Sequence, residues 1–368
     1  MNCLVIIPTT GDEYAVSAPL AWIFCKHLDK VKGIFGFQLT NELVISHDLF
    51  IIELNWFFEL AEFKLLVEFI KQNNRDAKIL FGGLYAALKY KEIFQLLDVD
   101  YFIQGDNELP IQMLLDSVNP EEIPNLAGKN FENPISYVFK EGDYYNLEFS
   151  LDWFPSYSGF IEADMLYQLP MILTAKGGCA TVHKGCDYCM GSKHQVLKKI
   201  YNRPPLVMSN DVLMHLLEKV EKKFNNASLI LLSEYNYDFS TQSFDLDMTV
   251  EIDCKIPLEK IKDVLYGFKK CVLNIPTYAA EGLSRESIQR NYKEIKQLED
   301  ENHKVKFFGT VGGAGTINIT EVQKAGPNSE SALPEWAYWD FYMDLEQAYI
   351  FSEVFYHKLD AGRKFTDG

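Results

Sequence analysis

The chain alternates short, wholly apolar runs with segments of helical spacing, and this alternation constrains its fold more than any other feature. CLVIIP (3–8), DLFIIEL (48–54) and AKILFGG (77–83) are of strand length, and each closes on proline, a polar turn or glycine. A run that is apolar at every position must be buried on both faces, as strands of parallel sheets are. The segments that follow, such as FFELAEFKLLVEFIKQNN and LYAALKYKEIFQLL, carry apolar residues at three- and four-residue intervals, the spacing of helices packed on one face. KGIFGFQL and VDYFIQGDNELP (99–110) complete a set of five strands. Strand–helix–strand repetition predicts an α/β, doubly wound parallel sheet, Rossmann-like or flavodoxin-like.

Ligands of such sheets sit beyond the carboxyl ends of the strands. Those ends carry Thr9 and Thr10, Asn55, Gly82 and Gly83, and Gly105 and Asp106. A glycine there lets a ligand approach the backbone, or only serves a tight turn. No G-x-G-x-x-G follows the first strand and no G-x-x-x-x-G-K-[ST] occurs, so dinucleotide and nucleoside-triphosphate binding lose their main support.

The alternation resumes after residue 166 with PMILTAKGG, SLILLSE, DLDMTVEID, KCVLNIP and KVKFFGTVGG as strands. This predicts a partial (β/α) barrel, with its site at the strands' carboxyl ends. A cysteine loop, Ser233 and Glu234, Asn274, and Gly312 and Gly313 fall there. Tyr201, Tyr235, Tyr278 and Glu251 are candidate pocket linings, with core packing as the alternative for each. The expected units are therefore 1–120, a linker region 121–165 with one hairpin over SYVFKEGDYYNLEF (136–149), the barrel 166–325, and a C-terminal helical extension 326–368 whose aromatic stripe serves packing.

A net charge of −17 opposes binding to nucleic acid or an anionic membrane, since phosphates select basic surfaces. No apolar run reaches membrane-span length, and the N-terminus lacks the pattern of a secretory leader. With seven cysteines, too few for a disulfide scaffold, a cytoplasmic, reducing setting is expected, where clustered thiols serve metal or redox chemistry.

Three of those cysteines, Cys179, Cys186 and Cys189, stand in AKGGCATVHKGCDYCMGSK (175–193). A structural zinc site would need a fourth ligand, which His183 or His194 could give. A redox C-x-x-C would leave Cys179 unused. An iron–sulfur cluster on three thiolates would keep one iron open for a ligand. Glycines at 177, 178, 185 and 191 would let the loop wrap such a cluster closely.

Cys186-Asp187-Tyr188-Cys189, after the first barrel strand, resembles the cysteine loop of the radical S-adenosylmethionine (SAM) family. ILFGGLYAAL followed by VDYFIQGDNELPIQMLL resembles the cobalamin-binding domain that precedes many of these barrels, and the likeness spans roughly residues 1–320. The resemblance implies a [4Fe-4S] cluster on Cys179, Cys186 and Cys189. It implies SAM at Tyr188 (adenine), Ser233, Glu234 and Asn274, and cobalamin at Thr9, Thr10, Asn55, Gly82, Gly83, Gly105 and Asp106. Six residues separate Cys179 from Cys186 where the family commonly has three, and only part of its Gly-Gly-Glu stretch stands at Leu232-Ser233-Glu234. The D-x-H-x-x-G signature of cobalt ligation by histidine is absent. The implied activity is reductive cleavage of SAM to a 5'-deoxyadenosyl radical, for methylation of an unactivated carbon of a small molecule or peptide, with an electron donor such as flavodoxin or ferredoxin. Rearrangement or cyclisation chemistry is the alternative, as is a non-catalytic zinc- or iron–sulfur-stabilised binding protein.

Overall fold

The computed structural model describes residues 1–7, 16–55, 60–155, 170–178, 194–231, 237–252, 257–276, 293–310 and 316–318. Thr9, Thr10, the three loop cysteines, His183, Tyr188, Ser233, Glu234, Tyr235, Tyr278, Gly312, Gly313 and the segment 326–368 lie outside the described residues, as does the side chain of His194.

The first unit runs β1 (Cys3–Ile7), α1 (Ala18–Cys25), β2 (Val31–Phe35), α2 (Asn41–Ser46), β3 (Leu49–Glu53), α3 (Leu60–Asn73), β4 (Lys78–Gly82), α4 (Leu84–Leu96), β5 (Tyr101–Ile103), α5 (Glu108–Leu115), β6 (Leu126–Gly128) and β7 (Phe131–Glu132). Its sheet has the order β2-β1-β3-β4-β5-β6-β7, with the first five strands parallel and the last two antiparallel. Val5, Ile51 and Leu80 face α1 and α5, while Leu4, Phe50 and Phe81 face α2, α3 and α4. Helices on both faces explain why the strands read as unbroken apolar runs. The order reverses between β1 and β3, so the ligand crevice of this topology lies at their carboxyl ends.

The second unit runs β8 (Met171–Leu173), β9 (Ala175–Lys176), α6 (His194–Tyr201), β10 (Leu206–Val207), α7 (Asn210–Glu221), β11 (Asn226–Leu231), β12 (Phe244–Ile252), α8 (Leu258–Tyr266), β13 (Phe268–Pro276), β14 (His303–Thr310) and β15 (Thr316–Asn318). Strands β8, β11, β12, β13 and β14 lie side by side in chain order and all parallel, and β15 closes the edge antiparallel. Each strand adds to the same side of the last, the arrangement of a barrel wall. Leu213 and Leu217 of α7 and Ile261 and Leu265 of α8 cover one face of this wall, against Val250, Leu273 and Val305.

The expected linker takes a different form. Its first part supplies β6 and β7, which extend the first sheet past β5. The expected hairpin over 136–149 is absent: Glu141–Asn146 is a 3-10 turn. Phe139, Tyr144, Leu147 and Phe149, at most 2% exposed, enter the core of the second unit. Trp153 and Phe154 enter the core of the first. Lys219 of α7 donates to the carbonyls of Tyr145 (2.7 Å) and Leu147 (2.8 Å), so these backbone groups are satisfied without a strand partner. A polar, proline-rich composition concealed a segment stitched into both cores.

Gly83 stands at the N-cap of α4 with φ +97°. A Cβ there would overlap the Leu54 carbonyl oxygen and meet Asn55 Oδ1 at 2.8 Å. Gly83→Ala should therefore cost about 2 kcal/mol or more, read as a lower urea midpoint. An unchanged midpoint would show that this turn tolerates a side chain.

Candidate functional site

The carboxyl end of β3, at the switch point, places Glu53 in register with Gly82 of β4. By strand alternation both residues lie on the sheet face that packs α1 and α5. Among the described residues, a Cβ added at Gly82 would meet only Asn107 Nδ2 within 4 Å, at 3.9 Å. Asn107 Oδ1 and Glu108 Oε2 are buried and have no hydrogen-bond partner among the described residues. Asn55, predicted as a ligand contact, accepts a hydrogen bond from Leu84 N at 3.1 Å and so caps α4. Gly83 serves that same turn.

Gly105 and Asp106 follow β5 and lie against the second unit. A Cβ at Gly105, whose φ is +79°, would approach Ile200 O of α6 to 3.0 Å. Asp106 is fully buried. It accepts from Arg203 Nε at 3.0 Å and Nη2 at 2.8 Å, and from Phe139 N at 2.9 Å, and its Oδ1 lies 3.4 Å from Lys176 Nζ. Lys176 Nζ also stands 2.7 Å from Glu108 Oε1. The Asp106 carboxylate is thus spent within the protein, and its influence on any ligand passes through the groups it holds. Breaking such a buried pair by deleting one partner costs on the order of 3–5 kcal/mol, because the other charge is stranded.

Asn125, also fully buried, organises the turn beneath Asp106. It takes φ +63°, a left-handed conformation that asparagine tolerates better than most residues. Its amide donates to Asp106 O and Tyr137 O, both at 2.9 Å, and its Oδ1 accepts from the backbone of Ser136 and Tyr137.

Three carboxyl groups (Glu53, Asp106, Glu108) and two cations (Lys176, Arg203) meet at this junction. Burial alone would pull the Lys176 ammonium down, yet Glu108 and Asp106 override it and hold it well above the ordinary lysine range. Burial pushes the Glu53 carboxyl up to about 7, partly offset by Lys176 and by a hydrogen bond from Asn55. Burial also pushes the Tyr201 phenol up to about 12, so it stays neutral. Glu53 is thus the carboxyl of the cluster that burial raises toward neutrality.

In the second unit, Val250, Leu273 and Val305 turn toward the helices, so their neighbours Glu251, Asn274 and Lys306 occupy the opposite face. These three sit in register across β12, β13 and β14. Asn274 is 1% exposed, while Lys306 is exposed. The inner wall near the carboxyl ends is polar and charged, which suits a ligand surface better than a packing face.

The described residues contain no group of three or more His, Cys, Asp or Glu side chains able to hold a metal ion. Cys3 and Cys271 are buried in strands, and burial pushes both thiols well above the ordinary range. Among the described residues, no helix is long and apolar enough to cross a membrane. Sequence reading passed over Glu53, Asn125, Lys176 and Arg203. The signal available for Lys176 was its place three residues before Cys179; the others carried none.

Glu53 gives a signed pH dependence. Its folded pKa of about 7 lies above the unfolded value of about 4.3. Its contribution to stability is therefore fully present below about pH 4 and is lost as pH rises through 7. Glu53→Gln should stabilise the chain by about 1–3 kcal/mol at pH 8, after discounting for partial exposure, and by far less at pH 4.5. Urea melts at both pH values test this; an equal difference at the two would refute the burial argument.

No known protein family's sequence profile matches the chain, and no curated protein does. Solved structures do. One is the radical S-adenosylmethionine methyltransferase TsrM from Kitasatospora setae, bound to tryptophan substrate and the SAM analogue aza-SAM. It matches at TM-score 0.51 and 12% identity, over 83% of this chain and 67% of that one. Another is the cobalamin-dependent S-adenosylmethionine radical enzyme OxsB, with aqua-cobalamin and SAM bound. It matches at TM-score 0.50 and 12% identity, over 96% of this chain and 56% of that one. The chain thus spans little more than half the length of OxsB. At this identity the likeness is one of fold: the protein is an α/β chain built like these cobalamin-dependent radical SAM enzymes.

Proposed function

We propose that this protein is a cobalamin-dependent radical SAM enzyme. The observation that carries the reading is the coupling of two sites. The ligand edge of a doubly wound sheet is locked by Asp106, Lys176 and Arg203 onto both stems of the one segment that holds three closely spaced cysteines. That segment follows the first strand of a parallel barrel wall, as the family's cluster loop does.

The residues fit the implied groups. A corrin carries amide side chains around its rim, and their N–H groups would complement the acceptors Asn107 Oδ1 and Glu108 Oε2, which have no partner among the described residues. Among the described residues, only Asn107 comes within 4 Å of the Cβ position of Gly82. Thr9, Thr10, Asn55, Gly83, Gly105 and Asp106 remain assigned to this edge, Asn55 and Asp106 as supports for the turns that frame it. Cys179, Cys186 and Cys189 would hold the [4Fe-4S] cluster. Buried and protonated, Cys3 and Cys271 do not compete with them as ligands. Tyr188 would contact adenine, and Ser233, Glu234 and Asn274 would hold the rest of SAM. When bound, the cluster and SAM supply reductive carbon–sulfur cleavage and cobalamin supplies a methyl group. The chain's own work is to orient and to keep water away. Glu251, Asn274 and Lys306 present hydrogen-bonding groups across three strands, and the Tyr201 phenol stays neutral beside the ionic junction.

Methylation of an unactivated carbon in a small molecule or peptide follows from this reading. It calls for an electron donor such as flavodoxin or ferredoxin and a reducing, cytoplasmic setting.

Anaerobic reconstitution with iron and sulfide should give roughly four irons per chain and SAM cleavage under reduction. Cys186→Ala should abolish that cleavage. A protein that takes up zinc and no iron, or a Cys186→Ala variant that still cleaves SAM, would sink the reading.

A further inference from the structure

The segment that carries Cys179, Cys186 and Cys189 leaves through β9 and returns through α6 and β10. Its two stems are clipped together: Lys176 pairs with Leu206 and Ala175 with Val207, antiparallel. Arg203, on the returning stem, donates from Nη1 to Lys176 O on the outgoing stem at 2.9 Å. Both stems are then fastened to the first unit. The fork of Arg203 grips Asp106 through two nitrogens, and Lys176 Nζ bridges Asp106 and Glu108. Two glycines permit the close fit. A Cβ at Gly177 would come within 3.1 Å of Arg203 Nη1 and 3.2 Å of the Tyr201 ring. A Cβ at Gly105 would come within 3.0 Å of Ile200 O.

The two cores meet across α1, where Ala18 packs with the second unit and Met171 and Ile230 pack with the first, and a buried ion pair contributes little net stability over such packed apolar side chains. What a bidentate guanidinium–carboxylate pair adds is direction, because the planar fork fixes both distance and angle. We propose that Asp106, Arg203 and Lys176 form a positioning latch, which fixes where the cysteine segment leaves the second unit relative to the ligand edge of the first sheet. They are positioning residues: they act through the loop stems rather than on a substrate. In an enzyme this latch would keep the cysteine-bound group aligned with the cofactor on the neighbouring sheet. That consequence rests on the function proposed above, whereas the latch itself does not.

The test uses the full chain in two variants. Asp106→Asn keeps shape and acceptor capacity but loses the charge. Arg203→Lys keeps the charge but loses the fork. Hydrogen exchange is first followed without iron. Peptides covering 171–178 and 194–207 should exchange at least tenfold faster in both variants, while β4, β12 and β13 keep wild-type protection. Wild-type exchange of the stems in a folded variant would overturn the latch, as would a uniform rise across both sheets, which would make these residues general stabilisers. If Asp106→Asn does not fold, Arg203→Lys decides alone, since the two cations leave no buried carboxylate unpaired.

After reconstitution, both variants should bind iron as the wild type does. They should need at least tenfold more SAM to perturb the electron paramagnetic resonance signal of the reduced cluster. An unchanged SAM requirement would refute the alignment role. If the wild type takes up no iron, the cluster reading fails while the exchange comparison still decides the latch.

Discussion

A single carboxylate, Asp106, lies where the two halves of the molecule meet, and the rest of the arrangement depends on its being paired. Fully buried, it would be untenable without the Arg203 fork, the Lys176 ammonium and the Phe139 amide around it. Those partners come from three separate stretches of chain: the supposed linker, the outgoing stem of the cysteine segment and its returning stem. Satisfying one charge therefore forces three segments into a common place. Asn125 supports the arrangement from below by holding the turn of 135–137 against the Asp106 backbone.

Charge balance at the junction has a second effect. The two cations are committed to Asp106 and Glu108, so Glu53 receives only part of the field of Lys176. Burial holds its carboxyl at about 7, and it stands at the topological switch point of the sheet. A group so placed can be neutral or charged according to what lies beside it, a property that a fully paired carboxylate lacks.

Much of the fold was legible because its signals are local. Parallel strands buried on both faces are apolar at every position, and the strands expected outside 136–149, from CLVII in β1 to HKVKFFGT in β14, are present. The double glycine of AKILFGG was legible too, and Gly83 makes its turn, with φ +97°. The latch was not legible, because Asp106 and Arg203 are separated by 97 positions and neither carries a pattern of its own. The stretch 136–149 misled for the opposite reason. Its alternating aromatics read as a hairpin, but Phe139, Tyr144 and Phe149 are drawn into a tertiary core, which outweighs the local strand preference. Asn55 and Asp106 were picked out for lying at strand ends; Asn55 accepts from the first turn of α4, and Asp106 pairs with Arg203 and Lys176.

The stitching of residues 119–155 into both cores also bears on how the molecule can be assembled. Phe139 and Tyr144 anchor in one core and Trp153 and Phe154 in the other, with few residues between. Such a connection has no slack, so the two units cannot swing apart like the halves of a clamshell without pulling large aromatics into water. A bulky guest seated between the sheets would therefore have to slide in edgewise, past the loops at the carboxyl ends, or be present while the chain closes around it. Loading would then depend on edgewise access and on timing during folding, rather than on a hinge that opens and shuts with each turnover.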